Sequence, residues 1–170
     1  TVKHGLSTAL DWLIVKNRDS AKDWRVWFKG FSGTQRLELN NNEARATTNT
    51  SWNNTIPTSS VFTLGNDSNT NTDGDNFIAY CFHRVQGYSK FDAYKGNGNV
   101  NGAFVYLGFK PAWILVKQID GADNWQLVDN KRDPINLVDA FLMPDTSSAE
   151  NTHNNNIQVA FLSNGFTCRN

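Results

Sequence analysis

At 170 residues the chain is long enough to bury a real core, as one domain or as two small ones. Its formal net charge is zero and its Lys and Arg residues form no stripe. That argues against nucleic-acid or anionic-membrane binding, both of which run on concentrated positive charge. No apolar run approaches bilayer length and the N-terminus carries no signal-peptide pattern, so a mature or partial product, or exit by lysis, is expected.

In chain order, short apolar stretches of period two predict strands at Leu10–Val15, Trp24–Phe28, Val61–Leu64, Phe77–Phe82, Phe104–Leu107, Trp113–Val116, Trp125–Val128 and Ile157–Leu162. Clusters of Asn, Asp, Ser, Thr and Gly separate them and favour turns, Asn because it tolerates left-handed backbone geometry. No segment sustains a helical apolar face. The nearest, Asn136–Met143, predicts a helical turn on a loop. Many short strands between turn signals predict an antiparallel sandwich or barrel.

A long-period duplication organises these strands. Trp12-Leu-Ile-Val-Lys16 returns as Trp113-Ile-Leu-Val-Lys117, and the offset of 101 holds through Asp19/Asp120, Ala21/Ala122 and Trp24/Trp125. One supersecondary unit is therefore used twice. Residues 1–102 form the first unit and 103–170 a second, truncated one. In each, a Trp pair brackets a polar loop, which predicts a β-hairpin whose two Trp stack near its open end or face one core. Lys16 and Lys117 are expected to snorkel or to pair with Asp19 and Asp120. Nothing in the second copy answers the Asn76–Phe82 strand before Asn170, so the chain is expected to be an ordered portion of a longer polypeptide.

Cys81 and Cys168 fall at non-equivalent places, inside apolar alternating runs. Buried free thiols are expected, and a disulfide between them stays open. Two Cys and three scattered His do not make a zinc site.

Several phrases carry a family likeness. They are His4-Gly-Leu6, Trp12-Leu-Ile-Val-Lys-Asn-Arg-Asp19, Ser51-Trp-Asn-Asn-Thr-Ile-Pro-Thr-Ser-Ser-Val-Phe62, Phe77-Ile-Ala-Tyr-Cys-Phe82, Gly87-Tyr-Ser-Lys-Phe91, Tyr94-Lys-Gly-Asn-Gly98, Gly108-Phe-Lys-Pro-Ala-Trp113 and Phe161-Leu-Ser-Asn-Gly-Phe166. Together they resemble an uncharacterised concanavalin-A-like domain family of bacteriophage structural and tail-fibre proteins. The resemblance implies an all-β fold, an antiparallel β-sandwich of the concanavalin-A-like or jelly-roll type, with both repeat units in one lectin-like sandwich. It also implies a place on the phage particle surface and partners among other virion proteins and copies of the same chain.

No constellation for catalysis is legible, and no enzyme is expected. Glycosidases need two carboxylates about 5–9 Å apart, but Glu38, Glu43 and Glu150 lie in or beside loops instead of alternating along one strand. His4, His83 and His153 lack a nucleophile phrase. The tract holding Asp67, Asn69, Asn71 and Asp73 alternates oxygen side chains in the manner of a calcium loop. Its Gly74 comes late and no Glu follows at the required spacing, so Ca2+ is a weak candidate and an ordinary turn the stronger one. For glycan or interface contact the candidates are Trp52, Asn53, Asn54 and Tyr88, an aromatic platform ringed by amides. The rival for Trp52 is packing across the sandwich mouth or a subunit contact. The expected role is a non-enzymatic virion structural protein acting through protein–protein contacts, as a fibre, appendage or capsid-decoration module. The alternative is a carbohydrate-binding receptor-recognition module, and fold alone does not choose between the two.

Overall fold

The computed structural model describes residues 1–151 and 158–169; residues 152–157, among them His153 and Ile157, lie outside the described residues. The fold is all-β and antiparallel, and no helix occurs among the described residues. The chain divides into two compact units, Thr1–Arg84 with Gln118–Asp123, and Val85–Lys117 with Asn124–Asn170. The division falls at Arg84/Val85 and not at the repeat boundary of 102/103. Residues 85–100 join the second unit because Tyr94 packs edge-on against Phe166 at 6.1 Å and its hydroxyl meets the Cys168 thiol at 3.5 Å.

The first unit contains β1 (Val2–Lys3), β2 (Trp12–Asn17), β3 (Arg25–Phe28), β4 (Gln35–Glu38), β5 (Ala46–Thr47), β6 (Val61–Phe62) and β7 (Phe77–Phe82). β1 pairs with β6, and a five-stranded sheet runs β5-β4-β3-β2-β7. Along β2 the two-residue period sends Leu13, Val15 and Asn17 inward and leaves Trp12, Ile14 and Lys16 half-buried on the other face. Leu13 lies opposite Trp27, and Val15 opposite Arg25. The loop Gln118–Asp123 belongs to this unit through backbone bonds from Arg45 N to Ile119 O (2.9 Å) and from Asp123 N to Asn42 O (3.0 Å). An Arg45–Asp120 ion pair at 3.1 Å joins them.

The second unit contains β8 (Asn101–Tyr106), β9 (Trp113–Val116), β10 (Gln126–Asp129), β11 (Phe141–Leu142), β12 (Gln158–Leu162) and β13 (Gly165–Arg169). They form two three-stranded sheets, β11-β10-β9 and β12-β13-β8. Both sheets contribute to one core: Ile114, Val128 and Phe141 from the first, Val159, Phe161 and Phe166 from the second. Two sheets closing over one apolar layer are a small β-sandwich. The segment Asn136–Met143 corrects the expected helical turn. It bends at Asn136–Leu137 and then pairs as strand, with Val138 bridging Val159 and Phe141–Leu142 pairing with β10. The Asn136 side-chain amide imitates a neighbouring strand there: Phe161 N donates to its Oδ1 at 2.9 Å, and its Nδ2 donates to Phe161 O at 3.3 Å.

The duplicated hairpin forms twice. β2 pairs with β3 (Trp12↔Phe28 to Val15↔Arg25) and β9 with β10 (Trp113↔Asp129 to Val116↔Gln126). The Trp pairs do not stack within their hairpins. Trp12 meets Phe28 edge-on at 6.4 Å, while Trp24 stacks on Tyr80 of β7 at 6.3 Å.

Candidate functional site

The first hairpin loop is held by its own polar groups. Asn17 is buried at the end of β2. Its Oδ1 accepts from Asp19 N and Ser20 N, both at 2.9 Å, and its Nδ2 donates to Asp75 Oδ2 at 2.6 Å. Lys16 Nζ donates to the carbonyls of Asn17 and Ser20 and lies 6.0 Å from the Trp24 ring. Asp19 instead takes the Asn76 backbone and side-chain N–H groups, and Asp120 takes Arg45. Of the two expectations for Lys16, pairing with Asp19 is not met: its ammonium bonds loop carbonyls, and the Asp19 carboxylate bonds Asn76.

A buried charge cluster lies between β3, β4 and the loop after β6. Arg25 and Glu38 are directly opposite on paired strands and form an ion pair. Arg25 Nε also donates to Asp67 Oδ2 at 3.1 Å, and Arg36 and Asn41 donate to Glu38. Burial by itself raises the Asp67 pKa. Hydrogen bonds from Ser51 Oγ and from Asn69 N and Nδ2, with the Arg25 charge, outweigh it and bring the group down to about 2. Hydrogen bonds and the Arg25 charge hold Asp67 ionised, while Glu38 pairs with the same guanidinium from the opposite strand.

The residues of the calcium reading lie in the same loop. Asp67 is committed to protein donors, Asn69 Oδ1 accepts from Asp23 N at 2.9 Å, and Asn71 Nδ2 donates to Gly65 O at 2.7 Å. These side chains tie the loop to its own unit. No cluster of three or more His, Cys, Asp or Glu that could hold a metal occurs among the described residues.

Trp52 is 1% exposed and its Nε1 donates to Gln35 O at 3.0 Å. A buried ring offers no face to a sugar, which corrects its place as an exposed platform. Asn53 and Asn54 are exposed and both left-handed (φ 50° and 52°), making the turn that Thr55 N closes onto Trp52 O at 3.0 Å. Gly33 runs against this turn so closely that a Cβ there would lie 2.3 Å from the Asn54 carbonyl carbon. Tyr88 stands 81% exposed on the turn that the Val85–Ser89 bridge closes. Cys81 and Cys168 are free, half-buried thiols, and burial raises the Cys81 pKa.

The exposed aromatics that suit contact lie elsewhere. On β8, Val105 joins the core while Phe104 (50% exposed) and Tyr106 (60%) point outward. The Phe104 ring lies over Gly165, where an added Cβ would meet it at 3.1 Å and the Val105 carbonyl at 2.1 Å. Lys90 Nζ donates to Tyr106 O at 2.6 Å and sits 5.6 Å from its ring centre. On β9, Trp113 is 58% exposed because Asp129 occupies the place across the hairpin that Phe28 fills beside Trp12. Beside it lies a shallow open depression lined by Ala112, Trp113, Leu127, Asp129, Asn130 and Lys131. The signals for these residues were the outward parity of Phe104 and Tyr106 about Val105, and the Phe-to-Asp exchange between repeats.

The sequence model of a family described as Domain of unknown function (DUF7483) matches residues 1–170. No curated protein and no solved structure matches the chain.

Proposed function

The chain belongs to the family described as Domain of unknown function (DUF7483), and we propose that it serves as a non-enzymatic structural module of a bacteriophage virion. It works through protein–protein contact with other virion proteins and copies of itself at the particle surface, as a fibre, appendage or decoration module. The observation that carries the contact role is a division of labour among side chains. Buried carboxylates are neutralised against Arg25, whereas large aromatics, Trp113, Phe104 and Tyr106 among them, stand exposed on strand faces and edges. Exposed aromatic area of this kind marks surfaces that associate. The phage setting rests on the resemblance of the ordered phrases from His4 to Phe166. Antibodies raised against the folded chain should label intact particles of the phage that encodes it. Labelling confined to infected-cell lysate, with clean particles bare, removes the virion role.

A second reading is favoured by one observation. Phe104 and Tyr106 share the outer face of a three-stranded sheet, and Gly165 leaves room for the Phe104 ring. Such a platform suits the C–H face of a sugar, so a receptor glycan is the alternative ligand, with Tyr88 as an exposed outlier. A glycan-array signal lost in Tyr106→Ala, with particle labelling intact, supports this reading; an empty array removes it.

A further inference from the structure

We infer that the unpaired edge of β9 docks an extended antiparallel strand of the β7 kind, with aromatic or branched residues toward the outer face and small ones toward the core. Among the described residues β9 pairs with β10 and with no other strand, whereas β2, its counterpart at an offset of 101, lies between β3 and β7. The two hairpins are equivalent in detail: β3 (Arg25–Phe28) and β10 (Gln126–Asp129) stand at that same offset. Asn130 N donates to Ala112 O just as Lys29 N donates to Asp11 O.

Antiparallel alternation then fixes which groups are open. Ala112, Ile114 and Val116 turn their backbone groups to β10, so Trp113 and Leu115 turn theirs outward. Their counterparts Trp12 and Ile14 face Phe82 and Tyr80 across the β2–β7 ladder. β7 sets Phe82, Tyr80 and Ile78 beside the outer face of β2 and the smaller Cys81 and Ala79 toward the core side. A strand of that pattern would cover exposed Trp113 and extend the core layer of Ile114. Trp-Ile-Leu-Val itself carries no charge, proline or bulge of the sort that blunts a permanently exposed edge. An uncapped apolar edge with a ready template for its partner is the setting for strand addition. The inference rests on the contact role proposed above, and not on the virion setting.

The test uses the full chain and a fluorescein-labelled peptide of residues 75–84 carrying Cys81→Ser, followed by anisotropy. Saturable binding is expected, with a scrambled peptide inert. Leu115→Pro, which removes an outward N–H and no β10 bond, should weaken binding about tenfold or more. Because proline can unsettle the hairpin, Trp113→Lys provides a second variant, at an exposed site where the fold tolerates change. It should also weaken binding, with an unchanged far-ultraviolet circular dichroism spectrum. Absence of saturable binding to the folded chain, or equal binding by the scrambled peptide, overturns the inference. So does a wild-type dimer that Leu115→Pro dissolves while no peptide binds, since that assigns the edge to a second copy. Labelled particles without peptide capture would remove the docking edge alone and leave the virion role standing; capture without labelled particles does the reverse.

Discussion

Asn130 N donates to Ala112 O at 3.0 Å, repeating at the mouth of the second hairpin the bond from Lys29 N to Asp11 O at 2.9 Å in the first. The repeat therefore preserves backbone geometry, while the side chains around it have diverged in what they bury. That divergence sets the expected responses of equivalent residues.

Trp113 and Trp125 bracket the second hairpin loop, yet one is 58% exposed and the other 1%. Trp125→Ala should cost about 3–5 kcal/mol by opening a cavity, and Trp113→Ala within about 1 kcal/mol. Urea unfolding of the two variants decides it; equal midpoints would contradict the burial difference.

Trp52→Ala should likewise lower stability by about 3–5 kcal/mol, because it empties a buried site and leaves Gln35 O without its indole donor. A variant that melts like the wild type would mean that the ring lies outside the core.

Asp67 sits near 2 in the folded chain against an ordinary 3.8. A carboxylate depressed on folding contributes stability that is fully present above its unfolded value and lost as pH falls through the folded one. Its side chain is 9% exposed, so about 2 kcal/mol should disappear between about pH 4 and pH 2. Thermal melts of Asp67→Asn should be lower at neutral pH and flatter across that window; parallel acid curves would count against the network.

Asn53 and Asn54 hold left-handed backbone at successive positions. Asn54→Gly should be neutral or slightly stabilising, and Asn54→Val should cost about 1–2 kcal/mol, since a branched side chain resists that conformation. Comparison of the two midpoints checks the turn; if valine is harmless, the backbone there is not left-handed.

Calcium or a chelator should leave the melting temperature unchanged, because Asp67, Asn69 and Asn71 are already bonded to protein groups. A rise on adding calcium would show that an ion can displace those bonds.

Strand positions were legible where side-chain parity was clean. Leu13 and Val15 alternate with Trp12 and Ile14, and all eight expected stretches coincide with or overlap observed strands in the described residues. β4 escaped because Gln-Arg-Leu-Glu reads as surface, although Glu38 is buried against Arg25. β1, β5 and β11 are two residues each, too short for any period to show. Asn136–Met143 misled because its apolar spacing suits a turn of helix, and the amide of Asn136 instead joins it to β12.

The sequence by itself determined the repeat, the all-β class and both hairpins, because period and turn chemistry are local and survive without partners. Only the tertiary structure decided that Trp52 is buried, that Trp113 and Tyr106 are exposed, and that Asp67 answers Arg25 across 42 positions. Burial depends on which distant segment arrives on which face, and a residue's own neighbours in sequence do not encode that.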